Sequence, residues 1–193
     1  ALLNYMGILG RGVMKEVMNE DELARTFTLK SLSGSDSVFD MEKLFWFNKE
    51  HIRRMPVERL LEVTGLDQTY SEKVFLLREN ARTVVEIREL LSIFEGTEIA
   101  DSGLSYLASS SCFQAVVAVV RNALNDSRDI TLEDILEKVV HTVDAPKKEL
   151  FLVLRILITG RTDGPPLKDI FHFIPSVHIL ERIRWLDQRL SSQ

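Results

Sequence analysis

Apolar residues recur along this chain at alternating steps of three and four, and that period predicts helices almost throughout. The strongest case is Glu149 to Leu167, ELFLVLRILITGRTDGPPL, in which Leu150 to Ile158 is apolar everywhere except Arg155. A helix that is apolar on all sides is a buried one. Gly160 is placed to take a positive φ at its C-terminus, and Pro165 and Pro166 preset the backbone for the next helix, so the intervening loop has one fixed shape. A single arginine in such a helix must either meet an acid inside the fold or emerge where something anionic binds.

The same period predicts the other elements. Leu23, Ala24 and Phe27 share one side of a short helix capped by Asn19 or Asp21. Residues 30–36 read as a loop, and Asp40 starts a strong helix with Met41, Leu44, Phe45, Phe47 and Ile52 on its apolar side. Pro56 and Val57 start another that closes at Gly65. From Ser71 to Phe94 the pattern fits one long helix or two with a break near Asn80. The valine-rich run from Ala115 to Val120 resembles a strand, but Phe113, Val117, Val120 and Leu124 stand at helical spacing. Thr131 with Asp134 makes a capping-box start, and Ser176 opens a last helix with Ile179, Ile183, Leu186 and Leu190 inward. No strand pattern or fixed repeat competes, so the fold class is all-α, with candidate boundaries at residues 53–56 and 95–105.

The composition narrows the function. With 45% hydrophobic and 27% charged residues, the 193-residue chain holds a core and no disordered tract. Its apolar runs are shorter than the ~20 residues of a membrane span, which points to a cytoplasmic protein. Cys112 is alone, which excludes a disulfide framework or cysteine zinc site. His51, His141, His172 and His178 have no metal-ligand spacing and read as exposed or hydrogen-bonded structural residues. No nucleophile elbow or P-loop is present, and carboxylates such as Glu86 and Glu89 read as helix-surface charges. No catalytic or metal site is expected.

The net charge of −5 argues against nonspecific coating of nucleic acid, but its distribution is uneven. From Lys147 onward eight cations face five anions, giving +3 there and −8 for the remainder, so an anionic partner belongs at the C-terminal end. Lys43, Trp46 and Asn48 can form a surface touching a sugar-phosphate backbone. Spacing alone instead favours Trp46 in the core and Lys43 in solvent. The chain opens on a helical pattern with neither an initiator methionine nor a cap, as a piece of something longer does.

Three stretches together resemble the C-terminal half of bacterial glutamyl-tRNA synthetase. Leu2-Leu3-Asn4-Tyr5 followed by Leu9-Gly10 is similar to the segment after that family's KMSKS-type loop. Phe39-Asp40, Lys43-Leu44, Trp46, Asn48 and Ile52 are similar to its Phe-Asp-x-x-Lys-Leu-x-Trp-x-Asn-x-x-Tyr-Ile pattern, with His51 in place of the tyrosine. Leu154-Arg155, Leu157, Thr159-Gly160 and Gly164-Pro165-Pro166-Leu167 are similar to its Leu-Arg-x-x-Leu-Thr-Gly-x-x-x-Gly-Pro-x-Leu.

The resemblance implies helical bundle subdomains of the class I anticodon-binding type: the end of a stem-contact domain at 1–54, and two anticodon-binding helical subdomains at 55–102 and 103–193. It implies a parent glutamate–tRNA ligase that joins L-glutamate to tRNA with ATP and Mg²⁺ in a catalytic domain upstream, none of which this region binds. The HIGH and KMSKS signatures are absent, so the chain alone is not expected to aminoacylate. Carried over by position, Arg155, Gly164, Pro165 and Leu167 contact anticodon bases, which makes Arg155 RNA-facing. Lys147, Arg161 and Lys168, assigned from charge, meet the tRNA backbone, as do Lys43 and Trp46. Asn80 stands where members restricted to glutamate tRNA have an arginine that discriminates the third anticodon letter. A neutral amide lacks that charged fork, so selection is weakened or passes to Arg78 or Arg82. The expected partner is tRNA(Glu), bound by a monomer. Two alternatives stay open: a parent that also or mainly charges tRNA(Gln), and a helical protein-interaction module without RNA binding.

Overall fold

A computed structural model describes residues 1–9, 16–31, 38–126 and 130–190. Gly10 and residues 32–36 of the expected 30–36 loop lie outside the described residues, as does the side chain of Leu190. All regular elements among the described residues are helical, and none of the helices alone is long and apolar enough to cross a membrane. By packing, the chain divides into two compact units, residues 1–88 and 89–193.

The first unit begins with α1 (Leu2–Ile8) and α2 (Glu20–Thr26). Asn19 and Glu22 form a reciprocal capping box at 2.8 and 3.0 Å, which satisfies two backbone N–H groups at the start of α2. In α3 (Met41–Arg54) the Asp40 carboxylate accepts from Lys43 N at 3.1 Å, while the Asp40 N–H donates to the buried Tyr5 hydroxyl at 2.7 Å. The residue that starts α3 is thus tied to α1. Tyr5 packs with Ile8, Val17, Met18 and Phe47, with Phe39 edge-on at 5.1 Å.

Asn4 is a buried polar hub. Its Nδ2 donates to Glu16 O, its Oδ1 accepts from Met18 N, both at 2.9 Å, and His51 Nε2 lies 3.0 Å from the same oxygen. An acceptor there requires the proton on Nε2. His51 is held below its ordinary pKa by burial, then by the Ala1 ammonium and the Arg54 guanidinium. Because the folded value is depressed, the unfolded chain takes the proton first. Stability is therefore expected to be full above about pH 6.5 and to fall as pH drops through and below it. Urea midpoints across pH 5 to 8 measure this; in His51→Gln the same decline should shrink.

α4 (Val57–Thr64) ends on Gly65 in the left-handed conformation, φ 65°. The 71–94 stretch resolves as α5 (Ser71–Leu77), α6 (Val84–Leu90) and α7 (Ser92–Glu95), with a turn at 78–83 carrying Asn80. Of the two readings the pattern allowed, the interrupted one holds. Leu60, Leu61, Val74, Leu77, Ala81 and Ile87 are buried along this part.

The second unit is built on α8 (Asp101–Ser109), α9 (Phe113–Asp126), α10 (Leu132–Thr142), α11 (Lys147–Thr159), the one-turn α12 (Leu167–Ile170) and α13 (Ser176–Leu190). The valine-rich run is helix, as Val116, Val117 and Val120 bury one face of α9. Thr131 and Asp134 form the expected capping box on α10. Just ahead of α9, Glu149 in the first turn of α11 accepts the Ser110 hydroxyl at 2.7 Å; that bond first, and then the Cys112 thiol, holds its carboxyl below the usual range. α11 packs on α9, α10, α13 and α7, with Val153, Leu154, Ile156, Leu157 and Ile158 fully buried.

One expectation is corrected here. α11 is not buried on all sides, because its neighbours leave a stripe uncovered: Phe151 is 44% exposed, and Leu152 and Arg155 are half-buried.

Candidate nucleic-acid interface

Arg155 lies one turn before the end of α11, four residues after Phe151, so the two project from the same side of the helix. Of the two alternatives posed by the sequence, its guanidinium meets the second in part, emerging half-buried at the surface. No ion pair of Arg155 is found among the described residues; instead Nη1 donates to the carbonyl of Pro165, in its own following loop, at 2.9 Å. Burial pulls the guanidinium below its ordinary pKa, partly offset by the nearby Asp163 carboxylate. It stays cationic at neutral pH, half wrapped in protein.

The loop is fixed from several sides. Gly160 has φ 75°, and its carbonyl accepts from Ala100 N at 2.9 Å. The Thr159 hydroxyl donates to Arg155 O at 2.8 Å and accepts from Arg161 N at 3.1 Å. Arg161 Nε donates to Asp163 Oδ1 at 3.1 Å. Gly164 lies against Ile93 and Arg155: a Cβ there would stand 3.2 Å from Ile93 Cδ1 and 4.0 Å from Arg155 Nη1. Pro165 is buried, and Leu167 is half-buried at the start of α12, behind Pro166.

The structure thus brings Arg155, Gly164 and Pro165 into one rigid corner, with Leu167 two residues on. Lys168 is exposed beside it. Arg161 is occupied by Asp163, an exposed pair of the kind worth only about 0–1 kcal/mol. Lys147 is exposed at the other end of α11, about 12 Å from Arg155 along the helix axis.

In the first unit, Asn80 is exposed on the turn after α5. The two arginines considered beside it are already engaged. Arg78 lies 4.1 Å over the Phe75 ring with Nη1 3.5 Å from Met55 O, and Arg82 lies 4.7 Å over Phe45 and pairs with Glu42 at 3.2 Å. Asn48 Nδ2 donates to Arg82 O at 2.6 Å, so it fastens this turn to α3. Trp46 is corrected from core to surface: it is 42% exposed, edge-on to Phe47 at 5.0 Å. Lys43 is exposed, 3.9 Å from Glu16.

Two residues escaped the sequence reading. Phe151, within the run whose pattern predicts burial, offers an exposed aromatic face on the Arg155 stripe. Arg182, one of the C-terminal cations, is the largest fully buried side chain among the described residues. Its Nη1 donates to Leu157 O at 3.3 Å and to Ile158 O, and its Nη2 to Gly96 O. The histidines are structural, as expected: His178 Nδ1 is 2.9 Å from Phe94 O, and His141 lies near Glu137 on the surface. Among the described residues no group of three His, Cys, Asp or Glu side chains is placed to hold a metal ion.

A family model described as the anticodon binding domain matches residues 40–186. Among curated relatives, "Glutamate--tRNA ligase" of Mycoplasma capricolum is 25% identical over 207 residues, covering 97% of this chain and 43% of that protein. "GlutamylGlutaminyl-tRNA synthetase" of Helicobacter pylori is 31% identical over 183 residues, covering 92% and 40%. A crystal structure of a glutamate tRNA ligase from Elizabethkingia meningosepticum in complex with its amino acid shares the fold, with a TM-score of 0.67 at 22% identity over 95% of this chain and 39% of that one. The chain spans about two fifths of the length of these relatives.

Proposed function

The chain belongs to the anticodon binding domain family, and from that premise we propose that it is the tRNA-reading region of a glutamate–tRNA ligase. The observation that carries the reading is the Arg155 corner: a half-buried cation in no ion pair among the described residues, bonded to the backbone of a rigid Gly-Pro turn and flanked by the exposed Phe151 ring. Unpaired bases are recognised by guanidinium planes, aromatic faces and fixed backbone groups, and this corner offers all three. Arg155, Gly164, Pro165 and Leu167 contact anticodon bases. Lys147, Arg161 and Lys168 in the second unit, with Lys43 and Trp46 in the first, meet sugar and phosphate. The residues from 1 to 54 serve as stem contact, and those of 55–102 and 103–193 as anticodon readers.

The parent protein joins glutamate to tRNA in the cytoplasm and acts as a monomer. ATP and Mg²⁺ are bound by its catalytic portion, and no step of that chemistry is assigned to the residues described above.

Titration of the chain with a tRNA(Glu) transcript across a salt series tests the reading. Each phosphate neutralised contributes about −0.7 to −0.9 to the slope of log K against log salt, so several contacts give a steep fall in affinity. A flat line, or no binding at low salt, would mean a protein-interaction scaffold instead.

Asn80 favours a relaxed third-letter preference. The exposed amide carries no charged fork, and Arg78 and Arg82 are each laid over an aromatic ring of the fold, Phe75 and Phe45. The chain is therefore expected to bind tRNA(Glu) and tRNA(Gln) with comparable affinity, and Asn80→Arg to restore a preference of about tenfold, on the scale of one added charged hydrogen bond. A strong preference for tRNA(Glu) in the unaltered chain overturns the relaxed-specificity reading and leaves RNA binding itself intact.

A further inference from the structure

The last turn of an α-helix exposes unpaired carbonyls and the equivalent of about half a negative charge, an unfavourable surface on which to seat RNA. α11 ends in that way directly beneath the Arg155 corner. Three of its last four carbonyls are nonetheless satisfied: Ile156 O accepts from Gly160 N at 2.8 Å, and Leu157 O and Ile158 O accept from Arg182. Arg182 comes from α13, is 0% exposed and forms no ion pair with any acid among the described residues. Its other terminal nitrogen donates to Gly96 O, four residues before the Ala100 N–H that holds Gly160 O. The lack of a Cβ at Gly160 leaves room for it, since that atom would come within 3.2 Å of Arg182 Nε. One guanidinium therefore joins α13, the end of α11 and the segment leading into α8.

Building on the tRNA-reading proposal above, we propose that Arg182 is the positioning residue of the corner, and that its buried charge neutralises the negative end of α11 where nucleotides settle. Arg182 touches no RNA. It holds the end of α11, one turn beyond Arg155, and the start of the loop that carries Pro165, and supplies positive potential from below. Burial lowers its pKa to about 10, so it is charged at pH 7.

The test compares Arg182→Met and Arg182→Lys in the whole chain, with an anticodon stem-loop RNA as ligand and circular dichroism as the check on folding. Folded R182M is expected to bind about tenfold more weakly with an unchanged salt slope, because no phosphate contact is removed, and R182K to recover most of that loss by keeping the charge. A folded R182M of unaltered affinity overturns the proposal, and R182K no better than R182M overturns the role of the charge. In case R182M does not fold, the unaltered chain supplies a second readout. The shielded Arg182 Nε–H, which has no hydrogen-bond partner, should shift its nitrogen and proton resonances on RNA addition, and an unmoved signal at saturation overturns the proposal. If the unaltered chain binds no RNA, it is the underlying reading that falls first.

Discussion

Replacing Arg155 with alanine is expected to weaken tRNA binding by about 30- to 150-fold, the equivalent of roughly 2–3 kcal/mol for losing charged hydrogen bonds to a base and to the Pro165 carbonyl. The thermal midpoint should stay level or rise. Burial holds the Arg155 guanidinium below its ordinary pKa, so the fold carries a partly desolvated charge that its one bond to Pro165 O does not fully compensate. A residue kept at a stability cost and needed for binding is the pattern expected of a recognition site. Phe151→Ala in the same titration should lose about 1–3 kcal/mol if a base stacks there. Equal affinity for the unaltered and R155A chains, both folded, would remove Arg155 from the interface.

Gly160→Ala should lower stability by about 3 kcal/mol or more. An L-residue at φ 75° costs roughly 1–2 kcal/mol, and the new Cβ would sit 2.4 Å from Glu98 O, a backbone atom that cannot step aside. The Ala100–Gly160 bond would stretch with it. For a chain of this size the loss corresponds to a midpoint lowered by about 6–12 °C. Gly65 is the internal control. Its φ is 65°, but a Cβ there meets only the end of the Arg88 side chain at 3.1 Å, so Gly65→Ala should cost only about 1–2 kcal/mol. Equal losses at the two glycines would show that backbone conformation, and not the clash with Glu98, dominates.

Much of this architecture could be read from spacing. The caps at Asn19, Asp40 and Thr131, the stop at Gly65 and the buried faces of α9 and α13 follow from side-chain type at fixed offsets, because each is a local requirement of the helix. The errors share one cause. Trp46 and Phe151 are apolar residues at plausible core positions, and whether a neighbour covers them is decided by packing between helices distant in sequence. Arg182 is different, because its signal was present and passed over. It stands three residues after Ile179 and four before Leu186, on the inward face of α13, where an arginine calls for a partner. That partner is a set of backbone carbonyls, which no sequence pattern marks. Arg155 shows the same limit, since a choice between acid and surface omitted the carbonyl ten residues on. The resemblance supplied Asn80 and the Gly-Pro corner, while the structure supplied the engagement of Arg78 and Arg82 elsewhere.

Glu149 has a consequence for the order in which the second unit is assembled. The bend that leads into α9 is tied through Ser110 to a carboxylate 39 positions downstream, so during synthesis it emerges before its partner. Only when α11 has left the ribosome and folded back does the Ser110–Cys112 bend lock. Closure of that bend is thus a late event, coupled to the arrival of the helix that carries Arg155.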